Sequence, residues 1–264
     1  MHHSHLLINL GDNPDRPDWR NCRRWLRNVY RVHQRLCMAF PSTARVVADP
    51  DFLAPFVPEE FADVKVARSQ DHGFLFRVDP LSGSRAMIVV QSAREPDWSY
   101  AFRNAEYFLA GPPQTQPFDP RFQPGQRLGF RLLANPVRKV GKNSVDLGGK
   151  PFDERWIGKD VPVPNVDLDR WLLRRAEPEW RATKNSPDQQ PPGFKIESIT
   201  NIQPGYANVS KGRDDTDSKA RRRRSALYEG ILEVTNADHF KATINRGVGP
   251  GKAFGFGLLS VTRA

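Results

Sequence analysis

Near one end of the chain, residues 226–261 read ALYEGILEVTNADHFKATINRGVGPGKAFGFGLLSV. Residues 226–234 have the character of a strand, and residues 238–246 have helical periodicity. A glycine-rich loop follows, and it contains Gly247, Gly249, Gly251, Gly255 and Gly257. A last strand is predicted at residues 258–261. This order excludes a P-loop and a dinucleotide-binding fingerprint, because both of those motifs need a helix after the glycines.

The glycine loop has two interpretations at this point. Glycine tolerates positive φ and lets another backbone approach closely. Together with Lys252 and Phe254, the loop offers bare N–H groups, a cation and a flat ring to a phosphodiester chain. Alternatively, the glycines cap the helix and precede a strand that packs closely against it. The loop alone leaves both interpretations open.

Composition points to a polyanionic partner. The 264 residues include 40 Lys and Arg against 30 Asp and Glu, which gives a formal net charge of +10. Nucleic acid is the commonest partner of such a chain. No apolar run is long enough to span a membrane, so no membrane partner is expected. The two cysteines, Cys22 and Cys37, lack the spacing of a zinc site, and we expect a reducing, cytoplasmic location.

The first half of the chain predicts a small α+β domain. A strand at residues 6–10 precedes a helix within residues 19–40, and two further strands are expected at 73–78 and 86–91. Residues 112–126 are rich in proline and are predicted to form an interdomain linker. The N-terminal domain is therefore assigned to residues 1–111.

The second half predicts a ferredoxin-like order of elements. It begins with a strand at residues 127–135, continues with a helix at 166–176, and closes with the strand, helix and strand described above. The charged stretch 205–224 is expected to be mobile. The predicted fold is thus α+β, with two tandem ferredoxin-like (RRM-like) domains, residues 1–111 and 127–264, joined by the proline-rich linker 112–126.

Basic residues of the second half fall in three clusters. They are Arg138, Lys139, Lys142 and Lys150; then Lys211, Arg213, Lys219, Arg221, Arg222, Arg223 and Arg224; and finally Arg246 and Lys252. Each phosphate that such residues neutralise releases counterions, which supplies much of the affinity for nucleic acid. A solvated charged face is the alternative for any one cluster.

Among six histidines, His33 has a distinctive neighbour. Tyr30 precedes it by three residues, about one helical turn. Histidine is the natural acid–base group near neutral pH. The helical wheel also places His33 among apolar positions, so a packed core histidine is the alternative. Carboxylates are scattered along the chain, and no metal site is predicted.

Several segments together resemble one known family. They are Tyr30-Arg-Val-His-Gln34, Val90-Gln-Ser-Ala93, Phe130-Arg-Leu-Leu-Ala-Asn-Pro136, Tyr228-Glu-Gly-Ile-Leu-Glu-Val234 and the glycine loop with its last strand. In this order and over nearly the whole length, the chain resembles the CRISPR-associated endoribonuclease family CasE of the type I-E (Cascade) system, which cuts CRISPR repeat RNA.

The resemblance implies metal-independent cleavage at the base of a repeat hairpin, without a cofactor, to 2′,3′-cyclic phosphate and 5′-hydroxyl ends. His33 would be the general acid or base, with Tyr30 beside it at the scissile phosphate. Lys211 and Arg213 match the family's basic hairpin. Expected partners are CRISPR repeat RNA and other Cascade subunits. The alternative is a non-catalytic RNA-binding subunit of a ribonucleoprotein, and a metallonuclease is a third class.

With this family in view, the basic clusters and the glycine loop become predicted RNA-binding residues. The set is Arg138, Lys139, Lys211, Arg213, Arg221, Arg222, Arg223, Arg224, Gly247, Gly249, Gly251 and Lys252.

Overall fold

A computed structural model of the chain describes residues 1–11, 19–57, 60, 73–146, 148–177, 191–209 and 221–264. Lys211 and Arg213 lie outside the described residues. Within them there are ten strands: β1 (His2–Asn9), β2 (Phe74–Leu81), β3 (Arg85–Ser92), β4 (Gln114–Pro117), β5 (Arg127–Ala134), β6 (Val137–Lys139), β7 (Asp160–Pro162), β8 (Phe194–Val209), β9 (Arg221–Val234) and β10 (Leu259–Arg263). The same residues form six α-helices: α1 (Trp19–Arg27), α2 (Val29–Cys37), α3 (Thr43–Ala48), α4 (Trp98–Phe102), α5 (Leu168–Ala176) and α6 (Ala237–Arg246).

Two four-stranded antiparallel sheets dominate the structure. Their strand orders are β2-β3-β1-β4 and β10-β5-β9-β8. In both sheets the first strand of the unit lies between the third and the fourth, and the second strand lies beyond the third. Helices follow the first and third strands of each unit. This is the ferredoxin-like arrangement, and it confirms the predicted fold class. Among the helices of the described residues, none has the length and apolar character needed to cross a bilayer.

The proline-rich segment contributes to the first sheet. Within residues 112–126, β4 pairs antiparallel with β1, from His2 opposite Pro117 to His5 opposite Gln114. An edge strand tolerates proline, because the missing N–H does not interrupt a ladder on both sides. The division into residues 1–111, 112–126 and 127–264 stays a prediction, and this strand extends the first sheet beyond residue 111.

The prediction of a single helix within residues 19–40 is wrong in one respect, because the structure has two helices there. α1 ends at Arg27, and Asn28 leaves helical geometry with φ −105° and ψ 94°. The Asn28 side chain accepts a hydrogen bond from the Tyr30 N–H and caps the new helix. The backbone of Asn28 also forms a parallel bridge with Asn208 of β8. A helix start is therefore tied directly to the second domain.

Within the stretch predicted to be mobile, the described residues 205–209 and 221–224 form part of a regular hairpin. β8 and β9 pair up to Val209 opposite Arg221, so residues 205–209 and 221–224 belong to the second sheet. Residues 210–220 lie outside the described part of the chain. The guanidinium groups of Arg222 and Arg224 lie 5.2 and 5.3 Å from the ring centroid of Tyr206. These cation–π contacts stabilise an ordered conformation of this highly charged segment.

A buried arginine connects the two sheets. Arg77 of β2 is 4% exposed, and its Nε donates to the Asp79 carboxylate at 2.9 Å. Its Nη1 donates to the Ser260 hydroxyl at 2.9 Å, on β10 of the second sheet. Arg131 of β5 lies 3.5 Å from Asp79 and 3.3 Å from Glu229. The ionic network therefore runs from the first domain into the second.

We expect Arg77→Met to lower the free energy of unfolding by about 3 kcal/mol, since it removes a buried guanidinium and leaves the half-buried Asp79 carboxylate without its nearest cation. Arg127→Met is the matched control. That arginine is exposed and pairs with Glu197 across the surface, and its loss should cost less than about 1 kcal/mol. Urea denaturation of both variants measures the difference. Equal losses would contradict the role of the network.

His3 on β1 adds a pH dependence to stability. Its ring lies 4.9 Å from that of His5 and 5.3 Å from that of Phe118. Burial, reinforced by the positive charges of His5 and Arg77, lowers the pKa of His3 from 6.5 to about 4. The folded state therefore holds this imidazole neutral over a pH range in which the unfolded chain protonates it.

Stability should consequently fall as the pH drops from about 6.5 towards 4, because the unfolded state binds the extra proton. In His3→Gln this part of the pH dependence should disappear, while His239→Gln on α6 should keep it. The urea midpoint measured across this pH range tests the expectation. An unchanged slope in His3→Gln would contradict it.

Candidate functional site

The start of α2 presents the two residues predicted to do chemistry. Tyr30 is the second residue of the helix and His33 follows one turn later, so both project from the same side. The Asn28 cap fixes the first turn. Both side chains are half-buried. The helix therefore carries Tyr30 and His33 at the boundary between the first core and solvent.

The ring of His33 packs against aromatic side chains of β2. Its centroid lies 5.3 Å from that of Phe74 and 6.1 Å from that of Phe76, the latter nearly parallel at 16°. Nε2 of His33 lies 3.7 Å from Sγ of Cys37, one turn further along α2. His33 is half-buried, so these contacts fit the alternative of a core histidine in part. The aromatic wall and the thiol hold the imidazole in a defined position.

The glycine loop, residues 247–257, begins where α6 ends. Gly247 has φ 74° and ψ 164°, a conformation reserved for glycine. A short 3₁₀ turn at Lys252–Phe254 is flanked by Gly251 and Gly255, both left-handed. The Gly257 N–H donates to the Leu133 carbonyl at 2.8 Å. The loop is consequently a rigid part of the second domain.

The same loop packs directly on the first domain. A Cβ at Gly247 would lie 2.9 Å from Leu75 Cδ1, and one at Gly255 would lie 3.1 Å from the ring of Phe76. The ring of Phe254 lies 6.3 Å from that of Tyr30. The predicted catalytic pair and the glycine loop, more than 200 residues apart in sequence, are thereby brought together.

Lys252, predicted to bind RNA, bonds within the loop. Its Nζ donates to the Gly249 carbonyl at 2.9 Å. Gly249 itself lies against Trp171, with a Cβ position only 3.0 Å from that ring. Gly251 packs in the same way on Phe256, at 2.9 Å. These residues therefore shape the loop, and their contact with RNA stays a prediction.

The arginines of β9 divide between two faces. Arg222 and Arg224 lie over Tyr206, and Arg224 also donates to the Asn165 side chain. Arg223 lies over the Phe254 ring instead, with Cζ 4.6 Å from its centroid. Arg221 begins the strand. The run of four arginines therefore does not form a single patch.

A second basic surface lies on the other side of the glycine loop. Arg138 and Lys139 border a groove of about 650 Å³ that Pro250 of the loop also lines. The sequence prediction missed three arginines of this groove, which are Arg170, Arg174 and Arg175 of α5. The i, i+4 spacing of Arg170 and Arg174 on a predicted helix was the available signal. Burial lowers the pKa of Arg175 to about 10, which leaves it charged at neutral pH.

Among the residues that the structure describes, no group of three or more His, Cys, Asp or Glu is arranged to hold a metal ion.

Comparisons with known proteins agree with one another. A family model described as "CRISPR associated protein" matches residues 1–263. The CRISPR-associated endoribonuclease Cse3 of Thermus thermophilus is 32% identical over 251 residues, 93% of this chain and 95% of that protein. The Cascade subunit CasE of Escherichia coli is 23% identical, over 90% of this chain and 94% of that protein.

Solved structures extend the comparison to the fold. Cse3 bound to a 19-nucleotide RNA matches this chain with a TM-score of 0.62 at 30% identity. The match covers 99% of this chain and 100% of the Cse3 chain. Thermus thermophilus Cse3, bound to an RNA that represents a pre-cleavage complex, has a TM-score of 0.63 at 27% identity. This second match covers 99% of this chain and 98% of the Cse3 chain.

The close packing around Gly247 can be tested by stability. Gly247→Ala should lower the free energy of unfolding by about 3 kcal/mol, because a Cβ meets the Gly257 carbonyl at 2.7 Å in a conformation that alanine avoids. Gly149→Ala is the matched control. It has φ +76° but nothing within 4 Å of the new Cβ, and should lose about 1 kcal/mol. Similar losses in urea denaturation would contradict the close packing.

Proposed function

The chain belongs to the family of CRISPR-associated proteins that includes the Cse3 endoribonuclease of Thermus thermophilus, and we propose that it is a metal-independent endoribonuclease of CRISPR repeat RNA. It binds the repeat hairpin and cleaves the precursor at the base of the hairpin. It leaves 2′,3′-cyclic phosphate and 5′-hydroxyl ends, and stays bound to the product as a subunit of Cascade in the cytoplasm.

One observation carries the proposal. Tyr30 meets Phe254 of the glycine loop, and His33 stacks on Phe76, the ring against which Gly255 of the loop packs. An acid–base group, a phenol and a rigid loop with nearby cations therefore converge on one surface. Convergence of this kind is what cleavage of a phosphodiester requires, because the reacting groups must be held in line.

RNA supplies its own nucleophile. The 2′-hydroxyl attacks the adjacent phosphorus while the 5′-oxygen of the next nucleotide leaves, so no metal is needed to generate hydroxide. His33 transfers a proton, either from the 2′-hydroxyl or to the leaving oxygen, which contributes about 10²–10⁴-fold. Tyr30, one turn away, contacts the scissile phosphate. Charge that develops on the phosphate is stabilised by nearby cations.

The basic groove beside the glycine loop supports recognition of the hairpin. Its arginines and lysine, Arg138, Lys139, Arg170, Arg174 and Arg175, line one continuous surface. A-form RNA has a narrow major groove, so a stem is recognised mainly by its shape and its phosphates. Such a surface holds the stem, and the seam between the domains receives the strand that is cut.

The test is cleavage of a CRISPR repeat hairpin, in EDTA and with saturating protein. We expect the wild type to cut and His33→Ala to cut about 10²–10⁴-fold more slowly, because proton transfer is lost. Binding of the hairpin should persist in the variant. His239→Ala on α6 is the matched control and should cut like the wild type.

Three outcomes would contradict the proposal in different ways. Undiminished cleavage by His33→Ala would remove His33 from the mechanism. Loss of wild-type cleavage in EDTA would indicate a metallonuclease. Wild-type protein that binds the hairpin without cutting it would indicate a non-catalytic RNA-binding subunit.

A further inference from the structure

Arg223 differs from the arginines on either side of it. Arg222 and Arg224 lie over Tyr206, whereas Arg223 lies over Phe254 on the opposite face of β9. Consecutive side chains of a strand point to opposite faces, which explains the division. Arg223 is therefore the member of this run that faces the glycine loop.

The guanidinium of Arg223 has an unused donor. Its Nε is buried and has no hydrogen-bond partner within the described residues. A buried donor without an acceptor is costly, and such groups in native proteins are often reserved for a ligand. Arg224 also has a buried Nε without a partner, but its Nη2 donates to Asn165 and ties it to the second domain. Among the described residues, the Arg223 guanidinium has no such bond to hold it against the second domain.

Phe254 connects Arg223 to the predicted catalytic helix. Its ring lies 4.6 Å from the Arg223 guanidinium and 6.3 Å from the ring of Tyr30. The backbone bridge between Asn28 and Asn208 ties the start of α2 to the same hairpin, since Asn208 pairs with Arg222. Two independent contacts therefore hold Arg223 beside the helix that carries Tyr30 and His33.

We propose that Arg223 is a catalytic residue that contacts the scissile phosphate of the RNA and stabilises its charge in the transition state, and that Phe254 positions it. This inference rests on the proposed function and names the group that supplies the positive charge. A guanidinium stacked on a ring keeps its N–H donors in its own plane, where they can bind two phosphate oxygens. Its ligand is thus a phosphodiester of RNA.

The step balances without any further reactant. The bond from the 2′-oxygen to phosphorus forms as the bond from phosphorus to the 5′-oxygen breaks. The proton of the 2′-hydroxyl is removed by a base, and a proton is delivered to the leaving oxygen. Arg223 is unchanged and donates to the non-bridging oxygens, on which negative charge accumulates.

The experiment compares cleavage with binding for Arg223→Met. Cleavage of the repeat hairpin is measured in EDTA with saturating protein. Binding is measured with the same RNA carrying a 2′-deoxy nucleotide at the cut site, which cannot react. We expect the cleavage rate to fall on the order of 10²–10³-fold, as for loss of a group that stabilises a transition state. Affinity for the deoxy RNA should fall less than about tenfold, as for one phosphate contact.

Two variants separate this role from charge and from folding. Arg127→Met removes the same charge at an exposed position of β5 outside the predicted RNA-binding set, and should affect the cleavage rate far less than Arg223→Met. Arg223→Ala should regain part of its rate when guanidinium ion is added at low concentration, which a purely structural defect would not do. Retained binding of the deoxy RNA shows that each variant is folded.

Phe254→Leu tests the positioning role. It should lower the cleavage rate in the wild-type background and have little further effect in Arg223→Met, because the two residues act together.

If the wild type cuts and Arg223→Met cuts equally fast at saturation, this inference is overturned while the proposed function stands. Equal losses in Arg127→Met and Arg223→Met, or failure of guanidinium to restore any rate, also overturn it. A wild type that binds the hairpin without cutting overturns the proposed function as well.

Discussion

One close approach of backbone to side chain determines the geometry of this protein. The glycine loop of the second domain lies directly on β2 of the first, because Gly247 and Gly255 have no side chain to collide with Leu75 and Phe76. Phe76 in turn stacks on His33. The two halves of the site are therefore aligned by packed surfaces, and their relative position does not depend on the length of chain that joins the domains.

Asn28 has several structural roles at once. It interrupts what would otherwise be one long helix, and its side chain caps the second part. The interruption gives α2 an N-terminus of its own, with Tyr30 in the first turn. The backbone of Asn28 pairs with β8, so the start of this helix is joined to the long hairpin. An extended α1 could not provide either connection, since its N–H and C=O groups would be bonded within the helix.

The sequence predicted regular elements well and their exceptions poorly. Periodicity located β5 and α6 to within one residue, and the part of β9 from residue 226 onward, because each buries one face in a core that its own pattern records. The sequence did not predict the break at Asn28, since the apolar pattern continues across it. The order of residues 205–209 and 221–224 was not predicted either, because Tyr206 and its cation–π partners lie on different strands. The three-residue spacing of Tyr30 and His33 predicted that they lie on one side of a helix. The contact of Tyr30 with Phe254 depends on packing between the domains, so no local sequence pattern predicts it.

Arg77 makes the two domains thermodynamically dependent on each other. Its guanidinium is buried, and one of its acceptors is the Ser260 hydroxyl in the other half of the chain. Leu75 and Val89 are likewise buried against Leu258. An isolated first domain would keep the arginine and these apolar side chains without the surface that satisfies them. Ferredoxin-like units can fold separately, but here unfolding of one unit leaves the Arg77 guanidinium and these apolar side chains without their partners, which couples the stabilities of the two units.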